Sequence, residues 1–165
     1  VLTDSETERD FVRGLRYHGH GTSKLHHGYN SCLSNDHANI LTFLMSKYKK
    51  LLSKSNKVRK LYDEKLFKLG ISSIQTQKFT VSNNHKLVIK VEDRDNLKSY
   101  LQSKNIQSQI HYAQPLANQK MFSTGEHMPN AEKFCKEVLS IPIHPFLKDY
   151  EVARVCKCIG DFYGI

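Results

Sequence analysis

Apolar side chains recur three and four positions apart over the longest patterned stretch of the chain, from about residue 34 to residue 68. This spacing predicts one long helix with a single buried stripe. Ser34 and its polar neighbours are suited to capping the helix start, and Gly70 is a plausible stop. The stripe consists of Leu41, Leu44, Met45, Tyr48, Leu51, Leu52, Val58, Leu61, Tyr62 and Leu66.

A shorter helix is predicted upstream, with Asp4 or Ser5 as its cap and its end near Tyr17. Residues 1–3 have the character of a strand end, and residues 18–33 form a loop rich in glycine and histidine. One side of this helix carries Phe11, Val12 and Leu15.

After Gly70 the pattern changes to short strands alternating with helices. Residues 77–81 and 86–91 are predicted as two strands around a polar turn, and residues 106–112 as a third strand. Asp93 is suited to capping a helix between them. That helix carries Leu97, Tyr100 and Leu101 on its apolar side.

The last third of the chain predicts two further helices separated by an extended segment. Pro129 suits the first position of a helix, and Pro142 and Pro145 favour extended backbone over residues 140–145. The overall order predicts a compact α/β sandwich of helices on a small sheet, preceded by a helix pair that connects it to something else. The apolar positions of the two helices are Ala131, Phe134, Cys135, Val138 and Leu139, then Val152, Val155, Cys156, Ile159 and Phe162.

Charge adds a preference for anionic partners. The net charge is +9 and the pI about 9.4, and much of the excess lies between Lys47 and Lys68. Nucleic acid, anionic lipid and phosphate-bearing small molecules all fit that balance, although a run of lysines on a helix is more often a solvated face. No apolar run approaches the ~20 residues that span a bilayer. The first residue is Val1 rather than Met, which suggests a fragment.

The cysteines indicate buried thiols in a reducing compartment, and therefore a cytoplasmic protein. Cys135 and Cys156 fall on apolar helix stripes, where a free thiol behaves as a small hydrophobic group. Four cysteines in 165 residues do not form a disulfide framework. The single residue between Cys156 and Cys158 also does not match the usual zinc spacing.

Several histidines crowd the region of the glycine-rich loop, and two or three of them are chemically able to hold a metal ion. No glutamate or cysteine completes a recognised ligand spacing, so we assign no metal site. The histidines concerned are His18, His20, His26, His27 and His37.

His111 and Tyr112 are the most informative polar pair in the second half. They end a predicted strand and precede a loop stiffened by Pro115, a place where α/β proteins often hold ligand groups. A hydroxyl and an imidazole suit a sugar or a phosphate. A buried tyrosine with a histidine at a sheet edge explains the residues equally well. The sequence contains no Gly-x-Ser-x-Gly, Walker or Gly-x-Gly-x-x-Gly motif.

Short ordered blocks run along nearly the whole chain. They are RGLRYHG at 13–19, GYNSCL at 28–33, ANIL at 38–41, IHYAQPL at 110–116, PNAE at 129–132 and EVLSIPIHP at 137–145. These blocks resemble the DegT/DnrJ/StrS family of pyridoxal-phosphate-dependent sugar aminotransferases. The family typically has R-x-H-G, G-Y-N-S-R-L, A-A-I-L, I-H-Y-P-x-P-L, P-x-A-E and E-V-L-S-L-P-x-H-P in this order.

The resemblance implies an α/β fold, the C-terminal part of a fold-type I aminotransferase that uses pyridoxal 5'-phosphate. Residues 1–33 would then end the large domain, 34–69 would be a linking helix, and 70–165 a small α/β domain. It also implies that the Schiff-base lysine lies upstream of residue 1, so that this chain contains no catalytic residue and is inactive alone. The complete enzyme would transfer an amino group, typically from glutamate, to a keto-sugar nucleotide, as in surface polysaccharide or amino-sugar biosynthesis.

Three residues receive roles through the same resemblance. In the family the Gly-Tyr-Asn loop crosses a dimer interface, and its Asn binds the cofactor phosphate in the partner's site. Asn30 occupies that position here, and a glycine-led turn allows the close backbone approach. The His-Tyr pair of the family faces the nucleotide sugar, so His111 and Tyr112 are the candidate substrate-binding residues.

The chain departs from the family pattern at Cys32, Asn39, Ala113 and Ala117, where Arg, Ala, Pro and His are usual. These departures imply an unusual substrate or relaxed constraint. A natural truncation of the same fold, acting as a non-catalytic partner or regulatory module or left as a relic, is a second hypothesis. A basic nucleic-acid-binding domain is a third and weaker one, because aromatic residues do not interleave the lysine-rich face.

Overall fold

A computed structural model describes residues 2–20, 27–123 and 125–165. The chain forms two compact units, Val1–Lys47 and Tyr48–Ile165, and their boundary falls inside the longest helix. A strand end was expected at residues 1–3. Leu2 and Thr3 are not in a strand, so the prediction is wrong for them, and Val1 lies outside the described residues.

Two helices begin in the first unit. Helix α1 spans Glu6–Arg16, and the Ser5 hydroxyl accepts a hydrogen bond from the Glu8 amide, so the predicted cap is confirmed. Helix α2 spans Asn35–Lys68, and the Ser34 side chain accepts from the His37 amide at its start. Gly70 follows its end with a φ of +67°, a conformation that glycine adopts without strain.

The apolar stripe of α2 is buried only in its second half. Val58, Tyr62 and Leu66 belong to the core of the second unit, whereas Leu41 and Met45 in the first half are exposed. The prediction of one continuous buried stripe is therefore wrong. Periodicity shows which face of a helix is apolar, but it does not show how far along its length another element covers that face.

The sheet has three short antiparallel strands in the order β1-β2-β3. Strand β1 is Ser72–Ser73, β2 is Leu87–Lys90 and β3 is Val138–Ile141. Ser72 lies opposite Lys90, and Leu87 lies opposite Ile141, so β2 is the central strand.

The strand predicted at residues 77–81 is wrong, because this segment is a loop and β2 pairs instead with Ser72–Ser73. Phe79 has a φ of +67° and, like Val81, is fully or almost fully exposed. Apolar residues at alternate positions form a strand only where another surface covers one face, and in the described chain this segment has none.

Two further boundaries differ from the predictions. Helix α4 spans Pro129–Glu137, so Val138 and Leu139 belong to the buried strand β3 rather than to a helix face. The segment 106–112 is not a regular strand. Its pairing with the sheet is a single isolated bridge, in which Gln109 lies opposite Ser140. Val138 and Leu139 are apolar and suit either a helix or a strand, and their pairing with β2 selects the strand.

Helices α3, Arg94–Ser103, and α5, Asp149–Tyr163, supply much of the core that packs with the sheet. Asp93 precedes α3 as predicted, but its carboxylate accepts from the Asn96 side chain and does not cap the backbone. Cys135 and Cys156 are buried as predicted. Burial raises the pKa of the Cys156 thiol to about 11, so this thiol stays protonated near neutral pH. The helices packed with this three-stranded sheet confirm an α/β fold.

Candidate functional site

The loop that carries Asn30 is held by backbone hydrogen bonds to the end of α1. The Tyr29 amide donates to the Leu15 carbonyl over 2.7 Å, and the Ser31 amide donates to the Arg16 carbonyl over 3.0 Å. Asn30 itself forms an isolated antiparallel bridge with Tyr17. Its side chain is exposed, and none of the described residues forms a side-chain hydrogen bond with it. The backbone is therefore fixed while the amide is available to a ligand.

Gly28 is required by the close approach of two backbone segments. A Cβ atom added there would lie 2.0 Å from the Gly19 nitrogen and 2.4 Å from the His18 carbonyl carbon. No side chain fits at those distances, so any larger residue must move the loop that presents Asn30. Cys32, in the same loop, is exposed, and its thiol lies 3.5 Å from the Arg16 carbonyl oxygen.

The imidazole of His111 is held against the sheet of the second unit. Gln109 exchanges two backbone hydrogen bonds with Ser140, of 2.8 and 3.0 Å, which places the chain beside β3. His111 Nδ1 then lies 2.9 Å from the Ser140 hydroxyl. Burial lowers the pKa of His111, and the nearby charges of Lys86 and His85 lower it further. The neutral ring is therefore favoured, and one of its nitrogens is already engaged.

Tyr112 is placed differently from its neighbour. Its side chain is 67% exposed, and its ring meets the His111 ring edge to face at 5.7 Å between centroids. The Lys86 ammonium lies 5.8 Å from the centroid of the tyrosine ring, within the range of a cation–π contact. The structure thus brings His111 and Tyr112 together, with the imidazole anchored and the phenol directed to solvent.

A groove of about 1210 Å³ opens beside His111. Sequence reasoning missed Lys86, Lys98 and Ser140 in its wall, because they come from three separate elements. Ser140 alone carried a signal, since it is a polar residue within a strand that is otherwise apolar and wholly buried. Its wall also includes His85, Gln102, Ser108, His111 and His144.

Asn30 lies in the first unit, and His111 and Tyr112 lie in the second. Within residues 2–20, 27–123 and 125–165, no group of three metal-ligating side chains lies close enough to hold an ion. His18 and His20 stack edge to face at 6.4 Å between ring centroids, while His26 lies outside the described residues. Among the described helices, none has the length and apolar character that a membrane span requires.

Comparison with known proteins identifies the class to which this fold and these motifs belong. The model of the DegT/DnrJ/EryC1/StrS aminotransferase family matches residues 1–160. The chain belongs to that family.

The similar proteins are longer than this chain. It is 33% identical to the UDP-N-acetyl-3-dehydro-alpha-D-glucosamine 3-aminotransferase of Acidithiobacillus ferrooxidans, over 96% of this chain and 44% of that protein. It is 28% identical to a "pleiotropic regulatory protein" of Geobacillus stearothermophilus, over 99% of this chain and 46% of that protein. The chain thus spans about half the length of the curated relatives it matches.

Solved structures confirm the fold. A DegT DnrJ EryC1 StrS aminotransferase from Brucella abortus matches with a TM-score of 0.90 and 24% identity, over 99% of this chain and 46% of that one. DesV of S. venezuelae, solved in complex with a ketimine intermediate, matches with a TM-score of 0.86 and 27% identity, over 98% and 45%. The α/β fold expected for a portion of such an aminotransferase is therefore present.

Proposed function

We propose that this chain acts as part of a pyridoxal-phosphate-dependent enzyme that transfers an amino group from a donor, typically glutamate, to a keto-sugar nucleotide. Family membership supports the reaction class, and the names of the relatives support the substrate class. The observation that carries the proposal is the anchored imidazole of His111, which lies between a buried serine and an open polar groove.

The residues present fit the phosphate of the cofactor. The amide of Asn30 is exposed on a fixed backbone, and Gly28 permits the tight turn beside it. An amide N–H is a suitable donor to a phosphate oxygen. The bound cofactor supplies the electron sink for amino transfer. The role of this chain is then to hold that phosphate and to orient the sugar nucleotide, while the lysine that binds the cofactor comes from another segment of the enzyme.

We propose in addition that the enzyme works as a cytoplasmic homodimer in which Asn30 serves the neighbouring site. Apolar side chains are exposed on the first half of α2, and a second copy of the enzyme or the rest of the same enzyme is needed to cover them. These side chains include Ile40, Leu41, Phe43, Leu44 and Met45.

A second candidate function is that of a non-catalytic regulatory module. The specific observation in its favour is the relative named a pleiotropic regulatory protein, which matches 99% of this chain. Measurements of cofactor attachment and turnover distinguish the two functions.

The purified chain is to be incubated with pyridoxal phosphate, reduced with borohydride and mapped for a pyridoxyl-lysine. In parallel, a longer protein that joins this chain to the remaining half of the family fold is assayed with glutamate and a keto-sugar nucleotide. We expect a stoichiometric adduct and turnover only in the longer protein. An adduct at one lysine of this chain, with turnover, contradicts the assigned lysine location. A longer protein that never turns over contradicts the enzymatic function and favours the regulatory one.

Asn30→Ala in that enzyme should weaken cofactor retention by about 1–3 kcal/mol, because one polar partner of the phosphate is lost. Asn30→Asp should weaken it further, since a carboxylate repels the phosphate. The measurement is the cofactor dissociation constant from fluorescence titration. Asn39→Ala, an exposed asparagine on α2, is the matched control and should change nothing. If all three variants bind the cofactor as tightly as the parent enzyme, Asn30 does not contact the cofactor phosphate.

His111→Ala should raise the Michaelis constant for the sugar nucleotide or lower turnover, because an anchored hydrogen-bonding group orients substrate at little entropic cost. Tyr112→Phe should act in the same direction while leaving stability unchanged, since the phenol is exposed. The measurements are steady-state kinetics and the melting temperature of each variant.

The His111→Ala variant needs its own control, because it leaves the buried Ser140 hydroxyl without its hydrogen-bond partner. The double variant His111→Ala/Ser140→Ala removes both partners and should recover most of the lost stability without recovering the kinetics. A variant set in which stability falls and kinetics stay normal would mean that His111 is only structural.

A further inference from the structure

The second half of α2, from Tyr48 to Lys68, concentrates positive charge. It contains seven lysines and one arginine against two acidic residues. Six of the lysines are exposed, and in the part of the chain that the structure describes none of the six forms an ion pair. These six, called the lysine face below, are Lys49, Lys50, Lys54, Lys57, Lys60 and Lys68.

The lysine face lies on the side of the helix away from the core. At about 100° per residue its six members fall within an arc of about 140°, and they extend over about 28 Å of helix. Val58 and Tyr62, on the opposite side, belong to the core. Of the two acidic residues, Asp63 pairs with Arg59 over 2.9 Å, and Glu64 shares the arc with the lysines. One carboxylate among six ammonium groups leaves the face strongly positive.

Two exposed aromatic rings border the lysine face. Phe146, from the segment before α5, is 66% exposed, and the Lys54 ammonium lies 5.6 Å from the centroid of its ring. Phe67, on α2 itself at the edge of the arc, is 84% exposed. At a bilayer surface, rings of this kind enter the boundary between headgroups and acyl chains while neighbouring ammonium groups stay at the headgroups.

We propose that the lysine face, together with Phe146 and Phe67, docks on a bilayer whose phospholipid headgroups are anionic. A cluster of four to eight basic residues on one helix is sufficient for attraction to an anionic leaflet. The outer side of a straight helix can lie along a plane, so all six ammonium groups can reach headgroups together. The inference is independent of the proposed amino transfer, because none of these lysines lines the groove beside His111.

Two features favour lipid over nucleic acid. Planar, bidentate contact with nucleic-acid phosphates is a property of arginine, whereas lysine acts as a point charge. The arginine in this half of α2, Arg59, is half-buried and donates to Asp63, Ser73 and the Ile74 carbonyl. Proteins that hold single strands also use a positively charged groove, and the lysine face is the convex side of a helix.

The test measures co-sedimentation of the 165-residue chain, and of the longer protein described above, with lipid vesicles. We expect saturable binding to vesicles of phosphatidylcholine with about one third phosphatidylglycerol, and none to vesicles of phosphatidylcholine alone. Added salt should weaken the binding, because it screens the lysines. Lys50→Gln/Lys54→Gln/Lys57→Gln should weaken it about 100-fold, which is about fivefold for each lysine. Phe67→Ala/Phe146→Ala should weaken it about tenfold.

Charge loss elsewhere provides the control. Lys78→Gln/Lys120→Gln/Lys136→Gln removes the same charge from exposed lysines outside α2, and it should leave vesicle binding nearly unchanged. Melting followed by circular dichroism verifies that every variant is folded.

The proposal is overturned if the anionic vesicles are not bound, or if the two triple variants lose binding equally, since net charge alone would then explain it. It is also overturned if the 165-residue chain binds vesicles and the longer protein does not, because another part of the enzyme would then cover the lysine face. A single-stranded oligonucleotide that displaces the chain from vesicles and binds it more tightly at the same salt concentration would overturn it in favour of nucleic acid.

Discussion

Tyr62→Ala is expected to lower the free energy of unfolding of the second unit by about 3–5 kcal/mol, the usual cost of truncating a buried aromatic residue. Tyr62 lies on α2 with 0% of its surface exposed, in the core cluster that also contains Val58 and Leu66. Removing the ring leaves a cavity that these neighbours fill only in part. The measurement is urea unfolding followed by circular dichroism.

Tyr62→Phe is the informative companion variant. The Tyr62 hydroxyl is buried and lacks a hydrogen-bond partner among the described residues. Burial raises the pKa of this phenol, and the negative charge of Glu151 raises it further, so it stays neutral. Removing an unpaired hydroxyl relieves its desolvation cost, and we expect unchanged stability or a gain of up to about 2 kcal/mol. A loss as large as that of Tyr62→Ala would show that the hydroxyl has a partner.

Arg94→Ala is expected to be the most damaging change to a charged residue. Its guanidinium donates through Nη1 to the carbonyl oxygens of Cys135 and Val138, over 3.2 and 3.3 Å, and the side chain is only 7% exposed. These bonds join the start of α3 to the junction of α4 and β3. Each carbonyl left without a donor in the interior costs about 1–3 kcal/mol. Thermal and urea unfolding measure the loss.

Arg154→Ala is the matched control, since Arg154 also donates to a backbone carbonyl, that of Lys104, but is exposed. Water replaces the lost donor there, and we expect a change below about 1 kcal/mol. Arg94→Lys tests geometry, because an ammonium lacks the planar fork of a guanidinium and should recover only part of the stability. Equal losses at Arg94 and Arg154 would contradict the role given to burial.

Part of the candidate site is visible in the sequence. Asn30, His111 and Tyr112 stand in motifs whose order resembles a family to which the chain proves to belong. Their roles remain predictions, but their positions follow from local features such as a glycine-led turn and a proline-stiffened loop. The groove was not visible in the same way, because Lys86, Lys98 and Ser140 are separated by up to 54 residues along the chain.

Local pattern and capping chemistry determined α1, both ends of α2, and the buried positions of α3 and α5, since each depends on residues within a few turns of one another. Tertiary structure alone decided the pairing of the sheet. Ser72–Ser73 joined β2 while residues 77–81 stayed outside it, and Val138 and Leu139 became a strand rather than a helix end. A short apolar segment fits the periodicity of a helix and that of a strand equally well. The segment that pairs with it or covers it selects one of these structures, and that segment lies far away in the sequence.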